Sequence, residues 1–164
     1  MIQLGTRGIL WLRTVHLFFV CIWVGGAVAL TLMQFGLHPT DGGSLYGIDR
    51  SMRFIDDFII IPGAFGCLIT GMVFSLCTRW GFFRHRWILA KYLINIGAIV
   101  FGTFWLGPWL NGMGPISRME GLAALSNPAY LHFKAMNTWC GLGQAALLLC
   151  AIYLSVFRPW GKRY

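Results

Sequence analysis

Charge is what this chain has least of, and acid above all. Only 11% of its 164 residues are Asp, Glu, Lys or Arg, and five carboxylates face 13 basic side chains. Soluble domains carry about 25% charged residues, so no stretch here is polar enough to fold as a separate water-soluble unit. The same scarcity bears on partners. A net charge of +8 has no charged surface domain to display it, which excludes nucleic-acid binding and leaves the cations as topology signals and contacts for anionic lipid. The five cysteines, Cys21, Cys67, Cys77, Cys140 and Cys150, all fall inside apolar runs with no CxxC spacing. A disulfide framework is therefore not expected, and each packs as a small hydrophobe. Also missing are a Ser-His-Asp pattern, HExxH, a phosphate-binding glycine loop and paired carboxylates deep in an apolar run.

What is present is apolar length. Thr14 to Met33 holds no Asp, Glu, Lys or Arg, and about 20 such residues cross a hydrocarbon layer of roughly 30 Å. Three further runs of this kind follow. The fold class expected is all-α, an integral membrane four-helix bundle with up-down topology, in one domain spanning residues 1–164. Its helices are expected at about 9–35, 52–77, 87–109 and 128–157. The first run is too long for the apolar core of a usual signal peptide and is read as a retained helix. Gly36 and Pro39 stop helix 1, and Thr40 to Ser51 reads as a polar loop. Pro62 should kink helix 2, and Gly107-Pro108 with Gly112 to Pro115 should end helix 3, leaving Ile116 to Leu125 as a short interfacial helix. Asn127 with Pro128 opens helix 4.

Lys and Arg set the orientation. Nine lie at the N-terminal end, between helices 2 and 3, or in the tail; four (Arg50, Arg53, Arg118 and Lys134) lie on the other side. The positive-inside bias then puts both termini in the cytoplasm. The localisation expected is the bacterial cytoplasmic (inner) membrane, multi-pass, with the lipid bilayer as the first partner.

The unusual polar residues sort by depth. An inner group comprises Arg13, His16, Lys91 and Asn95, and an outer group comprises Gln34, His38, Arg53, Asp56, Asp57, His132 and Asn137, with Gln144 near the middle. Arg13 and Lys91 are open to a plain reading as side chains snorkelling to the interface, and Asp56 and Asp57 to one as helix-end charges. His16 is harder to set aside, since about 10 Å of helix separates it from the inner end and lipid-facing histidine is costly. Gly25 and Gly26 offer close approach to another backbone or to a flat ligand. Imidazole in a four-helix bundle suits haem or a metal. That makes His16, His38 and His132 the candidate ligands, with Arg13 or Lys91 placed to offset propionates at the inner surface and Arg53 at the outer one.

These residues also carry a resemblance. His16-Leu17 through Trp23-Val24-Gly25-Gly26 to His38 resembles the first helix of HemJ-type protoporphyrinogen IX oxidases. Met52-Arg53 ahead of a proline-containing helix, Trp87 with Lys91, and the closing Arg158-Pro159-Trp160 extend the likeness. The chain departs from those proteins at Met33-Gln34, where they have an arginine, and at Phe104-Trp105, where they have a histidine. Similar patterns occur in CopD-like copper-resistance proteins and in a group of small four-helix bacterial membrane proteins. The resemblance implies haem b or tetrapyrrole handling, an oxidoreductase role, and His16, His38, Arg53 and Lys91 as site residues, with His16, Lys91 and Arg53 as the catalytic candidates. A tetrapyrrole or quinone partner fits that reading. Two alternatives stay open. One is a copper or small-solute transporter receiving its cargo at Met33, His38, Asp56, Asp57 and His132. The other is a cofactor-free accessory subunit packed on a partner membrane protein or on further copies of the chain.

Overall fold

Each helix boundary has a local cause. The structure is a computed structural model and describes residues 4–77 and 86–157. Helix α1 (Thr6–Gly36) contains neither proline nor acid, and it stops where Leu37 turns extended (φ −98°, ψ 123°). Pro39 disfavours helix at His38, so the chain leaves the bundle there. Helix α2 (Gly42–Ile55) starts on a capping box: Asp41 Oδ1 accepts the Ser44 N–H at 2.8 Å, and Ser44 Oγ accepts the Asp41 N–H at 3.0 Å. That N–H holds the Asp41 carboxyl below the usual carboxylate range. The stabilisation is present above the carboxyl's unfolded pKa and fades as pH falls through the folded one.

The segment expected as a loop, Thr40 to Ser51, is thus mostly helix. Its Gly, Asp and Arg content hides a buried face, because Leu45, Asp49 and Met52 at i, i+4 and i+7 are all 2–4% exposed.

Proline is handled twice in the same way. Between α2 and α3 (Ile61–Cys77) lies a π turn, Asp56–Ile60, and between α4 (Arg86–Phe101) and α5 (Gly107–Glu120) lies another, Gly102–Leu106. Each ends two residues before a proline, Pro62 or Pro108. Ile61 N–H bonds to the Asp56 carbonyl, and Gly107 N–H bonds to the Gly102 carbonyl. A proline supplies no N–H, and its ring crowds the carbonyl four residues back; widening the turn lets the helix continue instead of breaking. Gly107-Pro108 therefore does not end the third helix. It runs on through α5, with Pro115 inside it, to a 3-10 turn at Gly121–Ser126, where Gly121 has φ +57°. The interfacial helix expected at Ile116 to Leu125 is the end of this element. Helix α6 (Pro128–Phe157) begins as expected, with Asn127 Oδ1 accepting the Ala129 N–H at 2.9 Å.

Four helical stretches are long and apolar enough to cross a membrane: Thr6–Gly36, Gly42–Cys77, Arg86–Ser126 and Pro128–Phe157. The second and third, about 54 and 61 Å long at 1.5 Å per residue, exceed the hydrocarbon thickness. The surplus forms a cap in which α2 packs on α5 around Leu45, Met52, Leu110, Met113, Ala124 and Tyr130. Below it a second core gathers Trp23, Ile60, Ala64, Cys67, Ala98 and Leu148. Among the described residues there is no strand. Residues 78–85, with His85 and the basic turn, and the Arg158-Pro159-Trp160 motif with the tail, lie outside the described residues.

Helices α1 and α3 run antiparallel and close. A Cβ on Gly63 would sit 3.0 Å from the Trp23 backbone nitrogen, and one on Gly26 would sit 2.7 Å from Ile60. Small residues permit this approach where the hydrophobic effect cannot drive it. We expect Gly63→Ala to destabilise the protein by about 1–3 kcal/mol, because backbone cannot yield as a side chain can. Gly25→Ala, with nothing within 4 Å of the new methyl, should be tolerated. Unfolding in micelles, followed by helical circular dichroism, compares the two.

Candidate functional site

The two π turns face a common space. A cavity of about 290 Å³ lies between all four spans, walled by Asp56, Asp57 and Ile60 of one π turn and by Gly102, Thr103 and Leu106 of the other. It extends from the base of the cap to the middle of the bundle, where Trp23, Ala64, Ala98 and Gln144 line it. That volume is many times the ~10–15 Å³ that holds one water, and it stands near the small end of the ~300–1,000 Å³ range of small-molecule sites.

Its cap-side rim is a polar network joining three elements. Gln34 Nε2 donates to Asn137 Oδ1 at 2.7 Å, and Asn137 Nδ2 donates to the Leu106 carbonyl at 3.2 Å. The Thr138 hydroxyl lies between the Lys134 carbonyl, at 2.7 Å, and Gln34 Oε1. Thr31 and Thr103 spend their protons on the carbonyls of Ala27 and Ile99, one helical turn back, at 2.9 and 2.8 Å. Asp57 pairs with Arg53 at 3.5 Å in an exposed i, i+4 contact. Asp56, half-buried on the cavity wall, makes no hydrogen bond or ion pair with any described residue. The Gln144 Oε1 is buried and likewise takes no donor.

The inner-end residues are arranged differently. The His16 ring meets Thr70 Oγ1 through Nδ1 at 2.7 Å and stands edge-on to Phe74, 5.7 Å between centroids. Thr70 gives its only proton to the Gly66 carbonyl at 2.6 Å, so Nδ1 carries the donated hydrogen and Nε2 keeps the lone pair. Lys91 is half-buried, with Nζ 5.7 Å from the Trp87 ring centroid, and its charge acts on both His16 and Cys67. His16 and Lys91 therefore share one neighbourhood, and neither lines the cavity. Tyr92 and Ser75, joined at 2.9 Å, stand beside them across Gly71.

The remaining candidates scatter. Arg13 is exposed, and so are His38, in the connection after α1, and His132, on α6. His38 and His132 make no hydrogen bond or ring contact with each other. Gly26 is filled by Ile59 and Ile60, and Gly66 is closed by the Phe19 ring, so the glycine faces expected to admit a macrocycle are spent on helix packing; Gly25 opens outward. The histidine electronics suit an axial ligand, since Nε2 keeps its lone pair. Among the described residues no three His, Cys, Asp or Glu side chains converge as a metal site, and no Cys, Met or His lines the cavity, which removes the soft donors that select Cu(I).

Sequence reasoning missed Thr138 and Asp49. Asp49 is 4% exposed and accepts the Tyr130 hydroxyl at 3.2 Å; it fell in the segment taken for a loop. The paired strings Asp56–Pro62 and Gly102–Pro108 were the available signal for the π turns. No protein-family model matches the chain, and no curated protein or solved structure is significantly similar to it.

The amide network carries a direct test. Gln34→Leu leaves Asn137 Oδ1 without its donor and should cost about 1 kcal/mol, between the ~0.6 average for interhelical bonds in membranes and the ~1–3 of a stranded buried partner. In a double-mutant cycle with Asn137→Leu, the two losses should fall short of additive by a similar amount.

Proposed function

We propose that this chain is a solute-binding membrane protein of the small-solute carrier kind, multi-pass in a bacterial inner membrane, with up-down topology and both termini cytoplasmic. The orientation is supported by the excess of Lys and Arg at the N-terminal end, the second connection and the tail. The binding function is supported by one observation above the others, a cavity of about 290 Å³ lined by all four spans and flanked by both π turns. Polar groups inside a membrane bundle are expensive and tend to mark solute pathways, and irregular backbone at membrane depth is tolerated where it borders a cavity. Here hydroxyl, amide and carboxylate groups converge on one space, whereas His16, His38 and His132 do not.

Gly141 lies on the cavity wall, and a Cβ there meets nothing within 4 Å. Gly141→Leu should fill the space without disturbing the helix contacts. Small polar solutes (propylammonium, propionamide, propanol and propionate) tested singly at millimolar concentration should include at least one that raises the unfolding temperature of the purified protein by mass action. Gly141→Leu should abolish that rise and leave the solute-free unfolding temperature unchanged. No rise with any of the four ends the reading.

A second reading, haem b held by His16, is favoured by the Thr70 contact that leaves Nε2 with its lone pair. An oxidoreductase role would follow from this reading alone. It requires a Soret band in protein purified after haem supplementation, lost in His16→Ala; a colourless sample ends it.

A further inference from the structure

The hydrogen-bond accounting of the cavity walls says which solute they suit, on the premise that the cavity is the binding site. Several donors there are already committed, while amide N–H groups of Gln34, Asn137 and Gln144 remain. The Gln34 and Asn137 amide groups give protons to Asn137 Oδ1 and to the Leu106 carbonyl, and the hydroxyls of Thr31, Thr103 and Thr138 give theirs to oxygens of the chain. What no donor among the described residues reaches is a pair of acceptors. The Asp56 carboxylate has no partner among the described residues, and Gln144 Oε1 is buried without a donor.

The charge accounting agrees. Among the described residues, Asp56 and Asp57 are the ionisable side chains on the cavity wall, and no Lys, Arg or His lines it. Asp57 is offset by Arg53, so the wall retains about one uncompensated negative charge when Asp56 is ionised. An uncompensated carboxylate at low dielectric is costly, and a ligand that both neutralises it and supplies N–H groups removes that cost. A bare metal ion suits the space poorly, because it needs several oxygen ligands close together and the volume far exceeds one ion. An anion would meet only repulsion at Asp56.

We propose that the solute bound in this cavity is a small organic cation with a primary ammonium group, held at the Asp56 carboxylate with Gln144 as a further acceptor lining the same cavity. Trp23, Phe35 and Phe65, also on the wall, suit the hydrocarbon part of such a molecule and its charge.

The experiment measures binding to the full-length protein in micelles by calorimetry, at one ionic strength held with sodium chloride, using four probes. Propylammonium should bind, and tetramethylammonium, with the charge but no N–H, should bind at least tenfold more weakly. Propionamide and propionate should bind more weakly still. Asp56→Asn should weaken propylammonium at least tenfold, and Gln144→Leu about threefold or more, each with an unchanged solute-free unfolding temperature. If Asp56→Asn does not fold, Gln144→Leu and the ranking of the four probes decide the matter. Propionamide binding as tightly as propylammonium, with Asp56→Asn indifferent, overturns the ammonium assignment and leaves the solute cavity standing. Tetramethylammonium binding as tightly as propylammonium overturns the hydrogen-bonding role of the acceptors. No heat from any probe, joined with no effect of Gly141→Leu on any of them, overturns the solute site itself.

Discussion

Backbone hydrogen bonding without water is the constraint on which this structure turns. Inside a bilayer each N–H and C=O must find its partner within the protein, and Pro62 and Pro108 each remove one donor from a membrane-spanning helix. Breaking the helix there would leave orphan groups in hydrocarbon. The chain instead widens one turn ahead of each proline, and the residue before the proline bonds five positions back. Because the second and third spans are antiparallel, the two widened turns meet at the same level. Beyond the widened turns, α2 and α5 pack their apolar faces on each other.

The cap follows from that continuity. Had the third helix stopped at Gly107, α2 would have no surface on which to bury Leu45 and Met52, and the short amphipathic helix would have little reason to form. Its helical state comes from packing against Leu110 and Met113 more than from propensity, which is ordinary for helices of this length. Asp49 and Tyr130 add a buried polar contact to the same interface. Below the cap, the Gln34–Asn137–Leu106 chain of hydrogen bonds ties α1 and α6 to the second π turn, so the irregular backbone is held in place by side chains from two other helices.

Polar chemistry is thereby divided between two places. At the end away from the cap, His16 meets Thr70 and the edge of Phe74, and Ser75 meets Tyr92. Toward the cap, smaller side chains and the widened turns leave a cavity whose walls carry the Asp56 carboxylate, unpartnered among the described residues, and the Gln144 Oε1 that takes no donor. The glycines explain the asymmetry: Gly26, Gly63 and Gly66 are consumed by close approach of α1 and α3, whereas Gly102, Gly107 and Gly141 border open space.

The four membrane-spanning helices, the stops at Gly36 and Pro39, and the Asn127 cap of the last helix were legible in the sequence, because apolar length and capping chemistry are local properties. His16 and Lys91 were grouped by depth from the sequence, and the Lys91 charge acts on His16, though neither lines the cavity. The helical cap was not legible. Residues 40–51 and 107–120 look like loops when read alone, and only their mutual burial makes them helices. Nor did the prolines declare their outcome, as a proline allows a kink, a stop or a π turn, and the choice depends on which neighbours satisfy the freed groups. Gly25 and Gly26 were read as making room for another backbone or for a flat ligand, and at Gly26 it is the neighbouring helix that fills the space. A glycine marks where something comes close, and only the tertiary structure decides whether that is a ligand or another helix.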